Sequence, residues 1–120
     1  MILGGDNIMY LPKKDIFDSL KTINNNYFVA QYQPPTFNTT PAIIFRVGDN
    51  VVNTDLDNII NSQELEIIID IYALDSVTAS NVLNEVEQTL RNLKYRLVYC
   101  ADIPNTGNLH HINCRFYTIA

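Results

Sequence analysis

By residue type, the two histidines, two cysteines and a close pair of aspartates are this chain's best candidates for chemistry. His110 and His111 are adjacent. In an extended strand, neighbours point to opposite faces. The two histidines therefore cannot hold one metal together, and only one at a time could meet Cys100, Cys114 or Asp102. The expected role is exposure, or packing within a hairpin. Cys100 and Cys114 flank the turn signal "PNTG". A hairpin centred on Gly107 places them at equal distances from the turn, so they face one another on one side of the ribbon. The fragment "TDLDN" sets Asp55 and Asp57 at the spacing of a calcium loop. Ile59 then stands where an oxygen ligand belongs, and Ile60 where the loop needs glycine, so a solvated loop is expected. A cysteine beside a histidine could supply a nucleophile and a base, but nothing in the pattern orients such a pair. No phosphate-binding G-x-x-x-x-G-K, no G-x-G-x-x-G and no G-x-S-x-G is present. The expectation is a protein without catalytic activity, cofactor or metal.

Tyr95, Tyr99 and Tyr117, with Arg96 and Arg115, form an aromatic and basic group near the C-terminus. Such a group can stack single-stranded bases. The net charge of -5 opposes a protein built to grip phosphates. Sheet cover or a protein partner is the expected role, since Tyr and Arg are enriched at interfaces.

The elements that must position these residues follow from periodicity. The 120 residues suit one domain over 1–120, with enough apolar side chains (47%) for a core without metal or disulfide staples. No apolar run reaches the roughly 20 residues of a membrane span. The opening "MILGGDNIMYLPKK" lacks the charge order of a signal peptide. Folding in a cytoplasm is expected, with both cysteines as buried free thiols; a disulfide formed after release from the cell is the alternative. Residues 1–10 read as a flexible N-terminal arm around Gly4 and Gly5. Pro12 suits a first helical position, and Ile16, Phe17, Leu20 and Ile23 predict a helix over Lys13–Thr22. Residues 27–32 read as extended, and "QPPTFNTTP" as a loop. "AIIFRV" predicts a strand, and Gly48-Asp49-Asn50 a turn. Residues 48–63 read as a long functional loop or irregular hairpin. Ala79, Val82, Leu83, Val86, Leu90 and Leu93 predict an amphipathic helix, with Asp75, Ser76 or Thr78 as its cap. Tyr95–Ile103 and Leu109–Ile119 read as paired strands. The fold class is α+β: a mixed or antiparallel sheet of four to five strands, with two helices packed on one face.

The strand "ELEIIIDIYAL" poses a question of its own. Leu65, Ile67, Ile69, Ile71 and Ala73 line one side. Ile68 and Tyr72 share the other with Glu64, Glu66 and Asp70. A half-buried strand should be polar on its outer side, so something must cover Ile68 and Tyr72.

"TTPAIIFRV", then "ELEIIIDIYALDSVTASNVLNEVEQTLRNLKYRL", then "HHINCRFYTIA" resembles the tail-terminator and tail-completion proteins of long-tailed bacteriophages. The shared features are a Pro-led strand, the phrase E-x-x-I-D-I-Y-A, a following helix carrying Leu83, Val86 and Leu90, and an aromatic-basic closing strand. The likeness runs from about Pro41 to the C-terminus and includes the short first helix. It implies a non-enzymatic virion protein of the tail or neck, assembled in the host cytoplasm. It implies a homo-oligomeric ring, a hexamer, that caps the tail tube protein and joins it to the head connector. DNA would pass through the lumen without specific binding, and no membrane is involved. A neighbouring subunit would then cover Glu66, Ile68, Asp70 and Tyr72; a crossing loop of the same chain is the alternative. The polar segment with Asp49, Asn50, Asp55 and Asp57 is the expected partner-contacting loop. Another neck or head–tail adaptor would read similarly, and a small cytoplasmic regulator, ligand-binding domain or enzyme is the contrasting class.

Overall fold

The computed structural model describes residues 9–32, 40–104 and 107–120. Pro12 opens the first helix, α1 (Pro12–Lys21), where its missing N–H leaves no helical bond unmade. Ile16 and Leu20, one turn apart, are fully buried. A short strand, β1 (Phe28–Gln31), follows. Two long strands, β2 (Ala42–Thr54) and β3 (Ile60–Ala73), form one antiparallel hairpin. The second helix, α2 (Ser76–Asn92), is capped by Asp75, whose carboxylate accepts from the Thr78 backbone N–H at 2.7 Å. Its last turn closes when Tyr95 N donates to Leu90 O and Lys94 N to Arg91 O, with Lys94 at φ 71. Strands β4 (Arg96–Ile103) and β5 (His110–Ile119) complete the chain.

The sheet has the order β1-β2-β3-β5-β4. β1 runs parallel to β2 and all other pairs are antiparallel. The fold is therefore α+β with a five-stranded mixed sheet. Both helices pack on one face. Leu65, Ile67, Ile69 and Ile71 of the central strand meet Val82, Val86 and Leu90 of α2 and Ile16 and Leu20 of α1 in one buried cluster. Leu83 lies at the border of that stripe and is half-buried, in contrast to Val86.

The segment read as a loop or irregular hairpin is a hairpin. Gly48-Asp49-Asn50 is not a turn: β2 continues through it, with a register shift between Val47 and Asp49. The physical cause lies at Gly48. A Cβ there would fall 2.6 Å from Glu66 Oε1 and 2.7 Å from Ile68 Cδ1. The glycine lets the bulged strand pass close over its partner's side chains and carry on. At about 3.3 Å per residue, the 14 residues of β3 span roughly 45 Å, which accounts for most of the molecule's 53 Å long axis. The hairpin over residues 48–66 forms an arm whose base is bordered by β5 as far as Glu64, with Gln63 bonded to Ala120. Only its tip, residues 53–62, projects beyond the sheet as a two-stranded ribbon.

Of the expected flexible N-terminal arm, residues 1–8 lie outside the described residues. Tyr10 is anchored: its N–H donates to Gln63 Oε1 at 2.6 Å, and Gln63 Nε2 donates back to Tyr10 O at 3.1 Å. Gln63 is fully buried.

Candidate interaction surface

Alternation along each strand sends one set of side chains to the helices and the other set outward. On β3 the outward set is Glu64, Glu66, Ile68, Asp70 and Tyr72. Registers bring Ala42, Ile44 and Arg46 of β2 to one side of it, and His111, Asn113, Arg115 and Tyr117 of β5 to the other. No described helix lies over this face.

Asp70 is the centre of the face. His111 Nε2 lies 2.7 Å from its Oδ1, and Asn113 Nδ2 donates to the same oxygen at 2.9 Å. A carboxylate only accepts, so Nε2 carries the hydrogen. Arg46 Nη1 approaches the other oxygen at 3.5 Å. The Tyr72 ring stacks on His111 with centroids 4.2 Å apart and planes 18° apart. Desolvation raises the Tyr72 phenol above its usual pKa and the Asp70 charge adds to this, while Arg46 opposes. Toward the arm, Arg115 Nη1 sits 3.7 Å from Glu66 Oε1 and its guanidinium lies over the Tyr99 ring. Tyr117 donates to Glu64 at 2.8 Å, and this bond holds its phenol above the usual range. Arg96 lies over the Tyr117 ring. The result is a grid of aromatic rings and paired charges.

Ile68 sits between Arg46 and Arg115 in the register and over Gly48, and is only 6% exposed. Neighbours in the sheet cover it. Tyr72 is half-buried against His111. Ile68 therefore needs neither a crossing loop nor a second subunit to leave water, whereas Tyr72 stays partly exposed. All four residues expected at a subunit contact, Glu66, Ile68, Asp70 and Tyr72, do share this face.

The four residues expected on a partner-contacting loop are split between the two ends of the arm. Asp49 and Asn50 lie in β2 at its base. Asn50 turns inward, its Oδ1 accepting from Gln63 Nε2 at 3.1 Å. Asp55 organises the tip, its Oδ1 accepting from the N–H groups of Asp57 at 2.8 Å and Ile59 at 2.9 Å. Asn58 takes the left-handed position there, at φ 62. Asp49 and Asp57 are exposed, and the Leu56 side chain at the tip stands fully in solvent.

His110 and His111 do face opposite sides, because β5 is a regular strand. No cluster of three or more metal-binding side chains occurs among the described residues. Cys100 pairs with Cys114 across the hairpin, with Sγ atoms 4.0 Å apart. Both are free, but only Cys114 is buried. The expectation of two buried thiols fails at Cys100, which sits on an edge strand with nothing beyond it among the described residues. The aromatic-basic group divides as well. Tyr99, Tyr117, Arg96 and Arg115 share the outer face, whereas Tyr95 is buried in the core. Sequence reasoning missed Arg46, His111 and Asn113 as partners of Asp70. The alternation of β5 was the available signal, since it puts His111, Asn113 and Arg115 on one side.

Neither a protein-family model nor a curated protein matches this sequence.

Proposed function

We propose that the chain is a structural protein of a long-tailed bacteriophage, a tail terminator that forms a ring of six copies. The ring caps the tail tube, presents its other side to the head connector and lets DNA pass through its lumen without specific binding. Its place is the virion, at the junction of tail and neck. The observation that carries the reading is the position of the phrase Glu66 to Ala73. It forms the centre of the sheet and arrays Glu66, Asp70 and Tyr72 on a flat face that no described helix covers. Such a face, rich in Tyr, Arg and paired charge, suits a contact between subunits that is made and fixed during assembly. The net charge of -5 suits a lumen through which DNA slides, because like charges repel.

The test is electron microscopy of lysates from a phage lacking the gene. A terminator predicts tails of irregular, extended length. Tails of normal length beside unjoined heads would replace the terminator with another head–tail adaptor. Normal infectious particles would remove both.

A further inference from the structure

We propose that the hairpin arm of one copy adds as a strand to the β4 edge of a second copy, joining copies head to tail. This rests on the ring reading and names the segments that would meet in it. Each end of the sheet leaves a backbone edge with no described strand beside it. β1 pairs with β2 only from Ala42 to Phe45, so the edge from Arg46 to Thr54 has no described strand beside it. All eight residues of β4 lie at the opposite end, with no described strand on their other side. Proteins normally blunt such edges, because open N–H and C=O groups recruit further strands. The tip of the arm, residues 53–62, is a two-stranded ribbon, which is marginally stable alone and gains from a third strand.

The side chains on the two edges complement each other. The arm from Gly48 to Glu66 carries Asp49, Asp55, Asp57, Glu64 and Glu66 and no Lys or Arg. The β4 edge begins at Arg96, with Lys94 just before it, both exposed, and its one acidic side chain, Asp102, lies near the other end. Apolar side chains stand exposed on both: Val51, Leu56 and Ile59 on the arm, Val98, Tyr99 and Ile103 on β4. Within one chain these edges can never meet, since β3 and β5 lie between them. Two different, complementary patches facing opposite ways make a heterologous contact, which closes into a ring when the rotation permits. Main-chain pairing would supply affinity and the charges would set the partner.

The native Cys100 gives the test its anchor, because it is exposed on β4. An Asn53→Cys variant is treated with a short bismaleimide at rising protein concentration, beside a Ser80→Cys control on the exposed side of α2. The expected result is an intermolecular ladder with Asn53→Cys that disappears when Cys100→Ser is added, and no ladder with Ser80→Cys. In parallel, sedimentation velocity compares wild type with Lys94→Glu/Arg96→Glu. The double reversal should weaken self-association by about tenfold or more, and adding Asp49→Lys/Asp57→Lys should restore most of it. Copies that associate with no more crosslinking at residue 53 than at residue 80 would overturn the edge pairing and leave the ring standing. Crosslinking in a dimer that never grows would keep the pairing and remove the ring. Monomers at every concentration would remove the edge pairing and self-assembly together.

Discussion

Asp70 concentrates more directed interactions than any other side chain described on the outer face, and its environment allows a quantitative expectation. Its carboxylate is 14% exposed and receives His111 and Asn113. Asp70→Ala leaves those donors without their acceptor in a poorly hydrated place. A loss of about 1–3 kcal/mol is expected by urea titration, with Asp70→Asn losing less because one acceptor oxygen remains. Equal losses for the two variants would contradict this, because they would mean that the remaining amide oxygen accepts nothing from His111 or Asn113. The thiols offer a second test. Burial pushes the Cys114 thiol far above its usual range, and the neighbouring Cys100 adds to this. Only the thiolate is nucleophilic. In native protein, Cys100 should alkylate readily and Cys114 only after denaturation, giving two thiols in all. Two equally fast thiols would contradict the buried position of Cys114.

At the scale of elements, α2 couples a local signal to the core. The Thr78 N–H and hydroxyl hold the Asp75 carboxyl below its ordinary value of 3.8, with a smaller contribution from His110. A depressed carboxyl stabilises the fold above its unfolded pKa, and that contribution is lost as pH falls through the folded value. Asp75→Asn caps nearly as well without titrating. The variant and wild type should therefore show different slopes of stability below about pH 4 and parallel slopes at neutral pH, measured by far-UV circular dichroism. Packing gives the other element-scale expectation. Leu90 is fully buried, so Leu90→Ala should cost about 2–5 kcal/mol. Leu83, half-buried at the border of the stripe, should cost clearly less. The reverse ranking in denaturant titrations would reassign the face of α2.

For the whole molecule, the arm is the feature that separates folding from assembly. Gln63 exchanges both of its backbone bonds with Ala120, so Asn53 and Ser62, next along the register, form the pair whose backbone groups face each other. Residues 54–61 can therefore be replaced by Asn-Gly, a two-residue turn that closes on such a pair. Asn50, Gln63 and Tyr10 keep their bonds. Stability should change by less than about 1 kcal/mol, because loop length weighs little. A phage carrying the shortened arm should nevertheless yield heads unjoined to tails in electron micrographs of lysates. Normal infectious particles would show that the arm is dispensable to assembly.

The helical stripe of α2, the alternating faces of β3 and β5, the opposition of Cys100 and Cys114 and the split of His110 from His111 were legible in the sequence. Each depends only on the fixed geometry of a helix, strand or tight hairpin. The polar composition of residues 48–63 hid a strand pair, because the side chains that turn inward there, Asn50 and Gln63, are themselves polar and the tip projects into solvent, so no apolar alternation marks it. Its continuity turned on one glycine passing over Glu66 and Ile68, a contact between residues far apart along the chain. The order of strands was equally beyond local reading. β5 lies between β3 and β4, so His111 and Asn113 reach an aspartate 41 and 43 residues away. The same order leaves the β4 edge and the outer part of the β2 edge with no described strand beside them, because which strands become neighbours depends on how the whole chain packs.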